Sequence, residues 1–290
     1  MTSLETTEYP QTFPVDGPLV VSVRIGGGHV AITATDTTEA SVDLSPLRPG
    51  DPDALRVIAE SRVRLRGNSL NVHVPEKGGF ARFGRSAPVQ VRITVPTGSS
   101  VDAELGSADL QITGTIDALV AQTGSGDVTA ETCGDARVRT GSGDVRLAAL
   151  RAASVKTGSG DITVDRSSGD LVLQSGSGDI QVGEAGGDGK VGTASGDVAL
   201  ERIGGDFAVK TASGSIQVRR AEHGSLAVTT ASGGVGVGVP HGTVARLDCS
   251  SVSGHVHSQL EPGDAPSGEE RRLIVNARTV SGDIAIRRVG

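Results

Sequence analysis

A six-residue corner signature that returns every 17 or 18 residues narrows what this chain can become more than any other feature. It reads Thr123-Gly124-Ser125-Gly126-Asp127-Val128, Thr140-Gly141-Ser142-Gly143-Asp144-Val145, Thr157-Gly158-Ser159-Gly160-Asp161-Ile162 and Ser175-Gly176-Ser177-Gly178-Asp179-Ile180. Looser copies follow at Thr193–Val198, Thr211–Ile216, Thr230–Val235, Ser251–Val256 and Thr279–Ile284, with a forerunner at Gly106–Leu110. With the motif serine as marker, successive spacings are 18, 17, 17, 18, 18, 18, 19, 21 and 28. A weaker turn sits half a period away, at Gly134-Asp135, Gly169-Asp170, Gly187-Asp188, Gly205-Asp206 and Gly224-Ser225. Each period thus holds two turns and two short segments. A helix cannot carry this pattern, because each glycine costs ~1 kcal/mol relative to alanine in a helix interior.

Both segments alternate with period two, the signature of a strand with one buried face. After the strong turn the buried pairs are Val128/Ala130, Val145/Leu147, Ile162/Val164, Ile180/Val182, Val198/Leu200, Ile216/Val218 and Val235/Val237. After the weak turn they are Ala136/Val138/Thr140, Ala153/Val155/Thr157, Leu171/Leu173/Ser175, Gly189/Val191/Thr193, Phe207/Val209/Thr211 and Leu226/Val228/Thr230. Equal-length rungs that bury corresponding positions stack into a β-solenoid, each rung covering the next. The expected fold is therefore all-β, a solenoid of two-strand rungs of ~18 residues. The rival is an antiparallel meander, since turns every eight or nine residues also suit hairpins; it gives no reason for the two turns to differ consistently. The motif glycines suit corners of positive φ, and Ser and Asp suit local capping of corner amides.

Three regions follow. Residues 1–16 read as a flexible N-terminus, 17–104 as an irregular β-strand cap, and 105–290 as the solenoid repeats with a Gly/Pro/Glu-rich insertion near 261–270. Within the cap, Val21/Val23/Ile25, Val30/Ile32, Val42/Leu44, Val63/Leu65, Leu70/Val72/Val74 and Val89/Val91/Ile93/Val95 alternate as strands do. Pro- and Asp-rich residues 46–54 and a Gly/Arg/Phe loop at 75–88 interrupt them. Arg287 and Arg288 are placed to blunt the last edge, as basic residues do on exposed strands.

Composition agrees with thin rungs: 42 Gly, four Phe, one Tyr and no Trp among 290 residues leave an interior of small side chains. The net charge of -7 argues against a general nucleic-acid grip, which rests on phosphate neutralisation, and aromatic stacking platforms are missing. The opening residues have neither a basic start nor an apolar run, so no signal peptide is expected, nor any transmembrane segment. Cys133 and Cys249 lie about six repeats apart, roughly 25 to 30 Å at ~4.8 Å per strand, too far for a disulfide. Reduced thiols suit a cytoplasmic location, one that leaves room for a peripheral place at the envelope.

The Thr-Gly-Ser-Gly-Asp-Val/Ile repeat, the Ile25-Gly26-Gly27-Gly28-His29-Val30 entry and the Ile93-Thr94-Val95-Pro96-Thr97-Gly98-Ser99-Ser100-Val101 lead-in resemble the bacterial β-strand-repeat family of unknown function, the "putative adhesin" family. The resemblance spans about residues 18–287. It implies a solenoid-like repeat protein associated with the cell envelope, and it carries no catalytic residues over.

Parts of the pattern bear on specific chemistries. Asp127, Asp144, Asp161, Asp179, Asp197 and Asp283 form a column of carboxylates, which as a divalent-cation ladder would suit calcium. Corner capping is the simpler reading, because the calcium β-roll repeat is Gly-Gly-x-Gly-x-Asp and here Gly precedes Asp directly. His255 and His257, two apart, lack an evident third zinc ligand; His223 and His241 read as ordinary surface residues. No Gly-x-Ser-x-Gly elbow or Gly-Lys-Ser/Thr phosphate loop is present. Outward Arg137, Arg139, Lys156, Gln174, Lys190 and Lys210 form a mildly basic stripe, suited to an anionic partner. The reading is a non-enzymatic scaffold or interaction module, adhesin-like, needing no cofactor, whose partner is a protein, an envelope component or itself and not nucleic acid. The alternatives are a bactofilin-like self-assembling protein and a calcium-binding β-roll.

Overall fold

The computed structural model describes residues 8–75, 88–260 and 271–290. These residues form twenty-four strands and one helix, in two compact units that divide between Asp144 and Val145.

The first unit contains β1 (Gln11–Pro14), β2 (Val20–Ile25), β3 (Gly28–Thr35), β4 (Glu39–Pro46), α1 (Pro52–Glu60), β5 (Arg62–Arg66), β6 (Ser69–His73), β7 (Val89–Pro96), β8 (Ser100–Leu105), β9 (Asp109–Thr123) and β10 (Val128–Thr140). One sheet runs β5-β6-β2-β8 and continues into the second halves of β9 and β10. The other runs β1-β4-β7-β3 and continues into their first halves. Pairing is parallel throughout, apart from β1–β4, β4–β7 and β5–β6. Val21, Val23, Ile25, Val30 and Ile32 are all buried, as the period-two alternation requires. Within the stretch expected to be flexible, Gln11–Pro14 pairs as a strand with Glu39–Val42.

Helix α1 was not expected. It follows the Pro- and Asp-rich interruption, where the Asp51 carboxylate caps it by accepting from the Asp53 and Ala54 N–H groups at 3.0 and 3.2 Å, with Pro52 in its first turn. An acidic N-cap followed by proline is a helix start signal that the strand-centred reading passed over. The helix buries Ala54, Val57 and Ile58 and packs against β4. Together with the antiparallel strands it finishes this end of the stack.

The second unit contains β11 (Val145–Thr157), β12 (Ile162–Ser167), β13 (Leu171–Ser175), β14 (Ile180–Ala185), β15 (Gly189–Thr193), β16 (Val198–Ile203), β17 (Phe207–Ser213), β18 (Ile216–Ala221), β19 (Gly224–Ser232), β20 (Val235–Pro240), β21 (Thr243–Ser253), β22 (Val256–Ser258), β23 (Arg271–Ser281) and β24 (Ile284–Val289). All pairing here is parallel, rung on rung, which excludes the meander. One sheet runs from the first half of β11 through β12, β14, β16, β18, β20 and β24 to β22. The other runs from its second half through β13, β15, β17, β19 and β23 to β21.

The order at this end is not the order of the chain. The last rung in sequence, β23–β24, lies between the β19–β20 rung and the β21–β22 rung. The edge Arg287 and Arg288 were expected to blunt is therefore not the last one of the stack: β22 covers β24 as far as Ile286, and the two arginines lie just past that pairing. β24 has a neighbour on either side, and the Arg288 guanidinium reaches back to the Pro240 and Thr243 carbonyls at 2.9 Å each. The outermost strands are β21 and β22.

The weak corner also differs from expectation. In the first unit Gly134 lies inside the continuous strand β10, whose register with β9 shifts between Ala130 and Thr132. The chain bends there without a separate turn. The 261–270 insertion, and residues 76–87 of the Gly/Arg/Phe loop, lie outside the described residues.

At the strong corner the need for glycine is mostly one of space. Gly126, Gly143, Gly178 and Gly196 lie outside the positive-φ region, whereas Gly214, Gly233 and Gly282 have φ of 152, 149 and 146°. At all seven, an added Cβ would stand closer than 3.0 Å to the backbone of the glycine or alanine at the matching position of the adjoining rung. Backbone cannot yield as a side chain can. Gly178→Ala should cost about 3 kcal/mol, the upper end of overpacking penalties, whereas Gly17→Ala, with nothing within 4 Å of the new methyl, should change stability by less than about 0.5 kcal/mol. Urea denaturation of the two variants checks the contrast.

Candidate functional site

The polar residues of the repeat meet at the strong corner. The motif threonine lies at the end of its strand or two residues before it, with the hydroxyl inside: Thr123, Thr140, Thr157, Ser175, Thr193, Thr211, Thr230 and Thr279 are all buried. That hydroxyl accepts from the glycine N–H three residues on, at 3.0 Å in Thr123–Gly126, 2.9 Å in Thr140–Gly143 and Thr157–Gly160, and 2.8 Å in Ser175–Gly178. It donates to the matching glycine carbonyl of the adjoining rung, as in Ser175 to Gly160 (3.1 Å) and Thr193 to Gly178 (3.0 Å). A buried hydroxyl is thereby satisfied on both sides.

The aspartates work between rungs, where the sequence suggested local capping. In the first unit the Asp109 carboxylate accepts from the Asp127 N–H (3.1 Å), and Asp127 accepts from Asp144 (2.9 Å). In the second, Asp161 accepts from Asp179 and Asp179 from Asp197 (2.8 Å each), and Asp197 from Ser215 (2.7 Å). Asp283 accepts from the His255 N–H (2.8 Å). The weak corner repeats the device: Asp170 accepts from Asp188 (3.1 Å), Asp188 from Asp206 and Asp206 from Ser225 (2.9 Å each). Each carboxylate thus caps an amide at a corner where the parallel ladder breaks. These charge-assisted bonds offset the repulsion of like charges about one strand spacing apart. The motif serines stay exposed.

The remaining sequence-predicted residues are dispersed. Lys156 and Lys210 share one outward column, but Gln174 and Gly192 stand between them. Lys190 lies in the neighbouring column, flanked by Val172 and Ala208. Arg137 and Arg139 face outward from β10, beside Val120 and Gln122 of β9. His255 occupies the corner ahead of β22 with its ring 3.6 Å from the Asp283 carboxylate, and no three His, Cys, Asp or Glu side chains cluster as metal ligands among the described residues.

Both cysteines are free. Burial, with a smaller push from Asp135, drives the Cys133 thiol up to about 11. Cys249 is raised as well, chiefly by burial. A thiol that stays protonated at neutral pH is a poor nucleophile.

Sequence reasoning missed two surfaces. Gly234, just before β20, and the outward positions Gly236 and Gly238 within it leave a trough of about 680 Å3 between β18 and β24, lined among others by Gln217, Arg219 and Arg287. The outward side of β5 carries Arg62, Arg64 and Arg66, which with Asn71 and His73 of β6 line a groove of about 370 Å3. The period-two Arg spacing was visible in the sequence, but the sheet neighbours that leave it without a carboxylate were not.

This fold and corner chemistry fit one family model, Toastrack DUF4097, which matches residues 21–192 and 188–287. The chain belongs to the Toastrack DUF4097 family. Among solved structures it is similar to a "putative adhesin" from Bacteroides fragilis NCTC 9343, at 11% identity over 97% of this chain and 96% of that one, with a TM-score of 0.39. It is also similar to a "putative adhesin" and a "putative lipid binding protein" from Parabacteroides distasonis ATCC 8503. Each is 12% identical over 97% of this chain, covering 96% and 97% of those chains, with TM-scores of 0.44 and 0.42. No curated protein matches the sequence significantly. The Toastrack assignment accounts for the β-solenoid-like architecture, and no helix among the described residues is long and apolar enough to cross a membrane.

Two outcomes follow for this Toastrack chain. Asp179→Ala removes the acceptor for the Asp197 amide and should cost about 1 kcal/mol, as loss of a comparable side-chain cap does in helices. Asp179→Asn, which keeps an acceptor, should cost less, and the melting temperature should be the same with calcium as with chelator. A rise with calcium would restore the cation-ladder reading. Separately, a thiol reagent on the folded protein should modify Cys249 before Cys133, with Cys133 reacting only on unfolding.

Proposed function

We propose that this protein is a non-catalytic scaffold or interaction module of the cell envelope, adhesin-like in presenting flat repetitive β faces to a partner. One observation carries the reading: the repeated groups with chemical potential are engaged in holding rungs together. The threonine hydroxyls bridge glycines, and the aspartates cap amides of the adjoining rung. What the repeats offer outward is a surface of regular spacing, with Arg137 and Arg139 in the first unit and Lys156, Lys190 and Lys210 in the second as its cationic contact points. Regularly placed charge suits recognition of an anionic envelope component or protein.

A second reading, self-assembly through strand edges, rests on the terminal rung of the second unit. Strand β21 pairs only with β23, and β22 only with β24, among the described residues. Leu247 is half-buried on that rung, while Val252 and Val256 are 82% and 47% exposed. If two β21 edges met antiparallel about Leu247, Arg246 of each copy would face Asp248 of the other. An open edge with self-complementary charge is a template for a second copy.

Sedimentation across concentration, combined with binding to an isolated envelope fraction, separates the readings. The first predicts a monomer that binds the fraction saturably. Growth of the sedimentation coefficient with concentration, abolished by Leu247→Lys, would instead establish the edge as an assembly site.

A further inference from the structure

The geometry points to an anion-binding face on β5 and β6 that docks the protein on a bilayer of anionic phospholipid through Arg62, Arg64 and Arg66. This refines the envelope reading above and can fail separately from it.

Alternation puts the three arginines on one side of a single strand, about 7 Å apart at two residues per repeat, so the row spans about 14 Å. Their partners across the antiparallel pair are His73, Asn71 and Ser69, and beyond them on β2 lie Arg24, Ser22 and Val20. No carboxylate occupies the outward side of these three strands. Arg24 is neutralised by Glu104 of β8 at 2.9 Å. None of the three arginines of β5 forms an ion pair or side-chain hydrogen bond among the described residues, whereas Arg92, Arg166, Arg202, Arg219, Arg220 and Arg278 all have acidic partners. In a chain of net charge -7, three adjacent guanidinium groups on one strand without an acidic partner among the described residues concentrate positive charge on this face. Guanidinium binds phosphate oxygens bidentately.

Two further observations favour a lipid surface over a soluble polyanion. An apolar side chain adjoins the row: Val20 of β2, across Ser69 from Arg66 on the same outward side, is 45% exposed. Basic and apolar groups side by side are what an interfacial surface offers to headgroups and acyl chains. Among the described residues β5 also pairs with β6 alone, so the row lies at the rim of its sheet, where a planar surface can reach it.

Flotation of the full chain with vesicles tests this. Phosphatidylcholine vesicles should leave it in solution, and phosphatidylcholine mixed with phosphatidylglycerol should carry it up, less so as salt shortens the reach of the charges. Each basic residue at an anionic surface is worth about fivefold in affinity. The triple variant Arg62→Gln, Arg64→Gln, Arg66→Gln should therefore lose about a hundredfold. The triple Lys variant should keep most of the binding, and Arg146→Gln with Arg272→Gln, which removes charge elsewhere, should leave it unchanged. Unaltered circular-dichroism melts would show that the exposed substitutions left the fold intact.

Equal binding to both vesicle types, or no loss in the triple Gln variant, overturns the proposal. So does calorimetric binding of inorganic tripolyphosphate without vesicle binding, which would assign the groove to a soluble phosphate. Binding to an isolated envelope fraction but not to phosphatidylglycerol vesicles would sink the lipid proposal and leave the envelope reading standing.

Discussion

Everything in the repeats depends on how closely one rung's backbone approaches the next at the strong corner. The approach is so tight that no Cβ fits between successive glycines. It lets the Asp179 N–H reach Asp161 while the Ile162 N–H reaches the Asp179 carbonyl at 2.9 Å. Glycine, threonine and aspartate form one device: glycine sets the spacing, the buried threonine satisfies the glycine amide, and the aspartate satisfies the amide of the adjoining rung. A corner built this way needs no large core residue. The small valine, isoleucine and leucine stack between the sheets follows from the corner geometry.

The same uniformity explains the order of rungs. Because every rung presents nearly the same corner and the same buried pair, a rung can stack beside any other without a large change in energy, and sequence order need not be spatial order. The second unit uses that freedom by placing β23–β24 between two rungs that precede it in the chain. The first does likewise, with β6 and β7 outside the β2–β3 rung. The outer rung of each unit differs in composition. Around β5 the chain supplies a capped helix, antiparallel pairing and arginine; at β21 it leaves a parallel edge with half-buried Leu247.

Much of this was legible in the residues. The Thr-Gly-Ser-Gly-Asp spacing and the Val/Ile alternation favoured stacked rungs over a meander, and the Gly directly before each Asp already suited capping over a calcium β-roll. The rest escaped for physical reasons. Helix α1 is announced by Asp51-Pro52, but its short apolar run sits among strands of similar composition. That Asp161 serves Asp179, and that β24 is interior, are facts of long-range pairing that identical motifs cannot specify. Arg62, Arg64 and Arg66 were visible as an alternation. Their lack of carboxylate neighbours required knowing that β6 and β2 lie beside β5.

Function then follows from what the corners leave over. Hydroxyls and carboxylates that hold rungs together have their hydrogen-bonding capacity engaged there, and the proposed recognition role is accordingly assigned to outward faces and edges. The central claim, that exposed corner aspartates bind the rungs through backbone amides, is most directly tested by amide hydrogen exchange. The amides of Asp179, Asp197 and Ser215, though at exposed corners, should be protected to a degree comparable with strand amides such as Val182. Exchange there at the rate of an open loop would contradict the account.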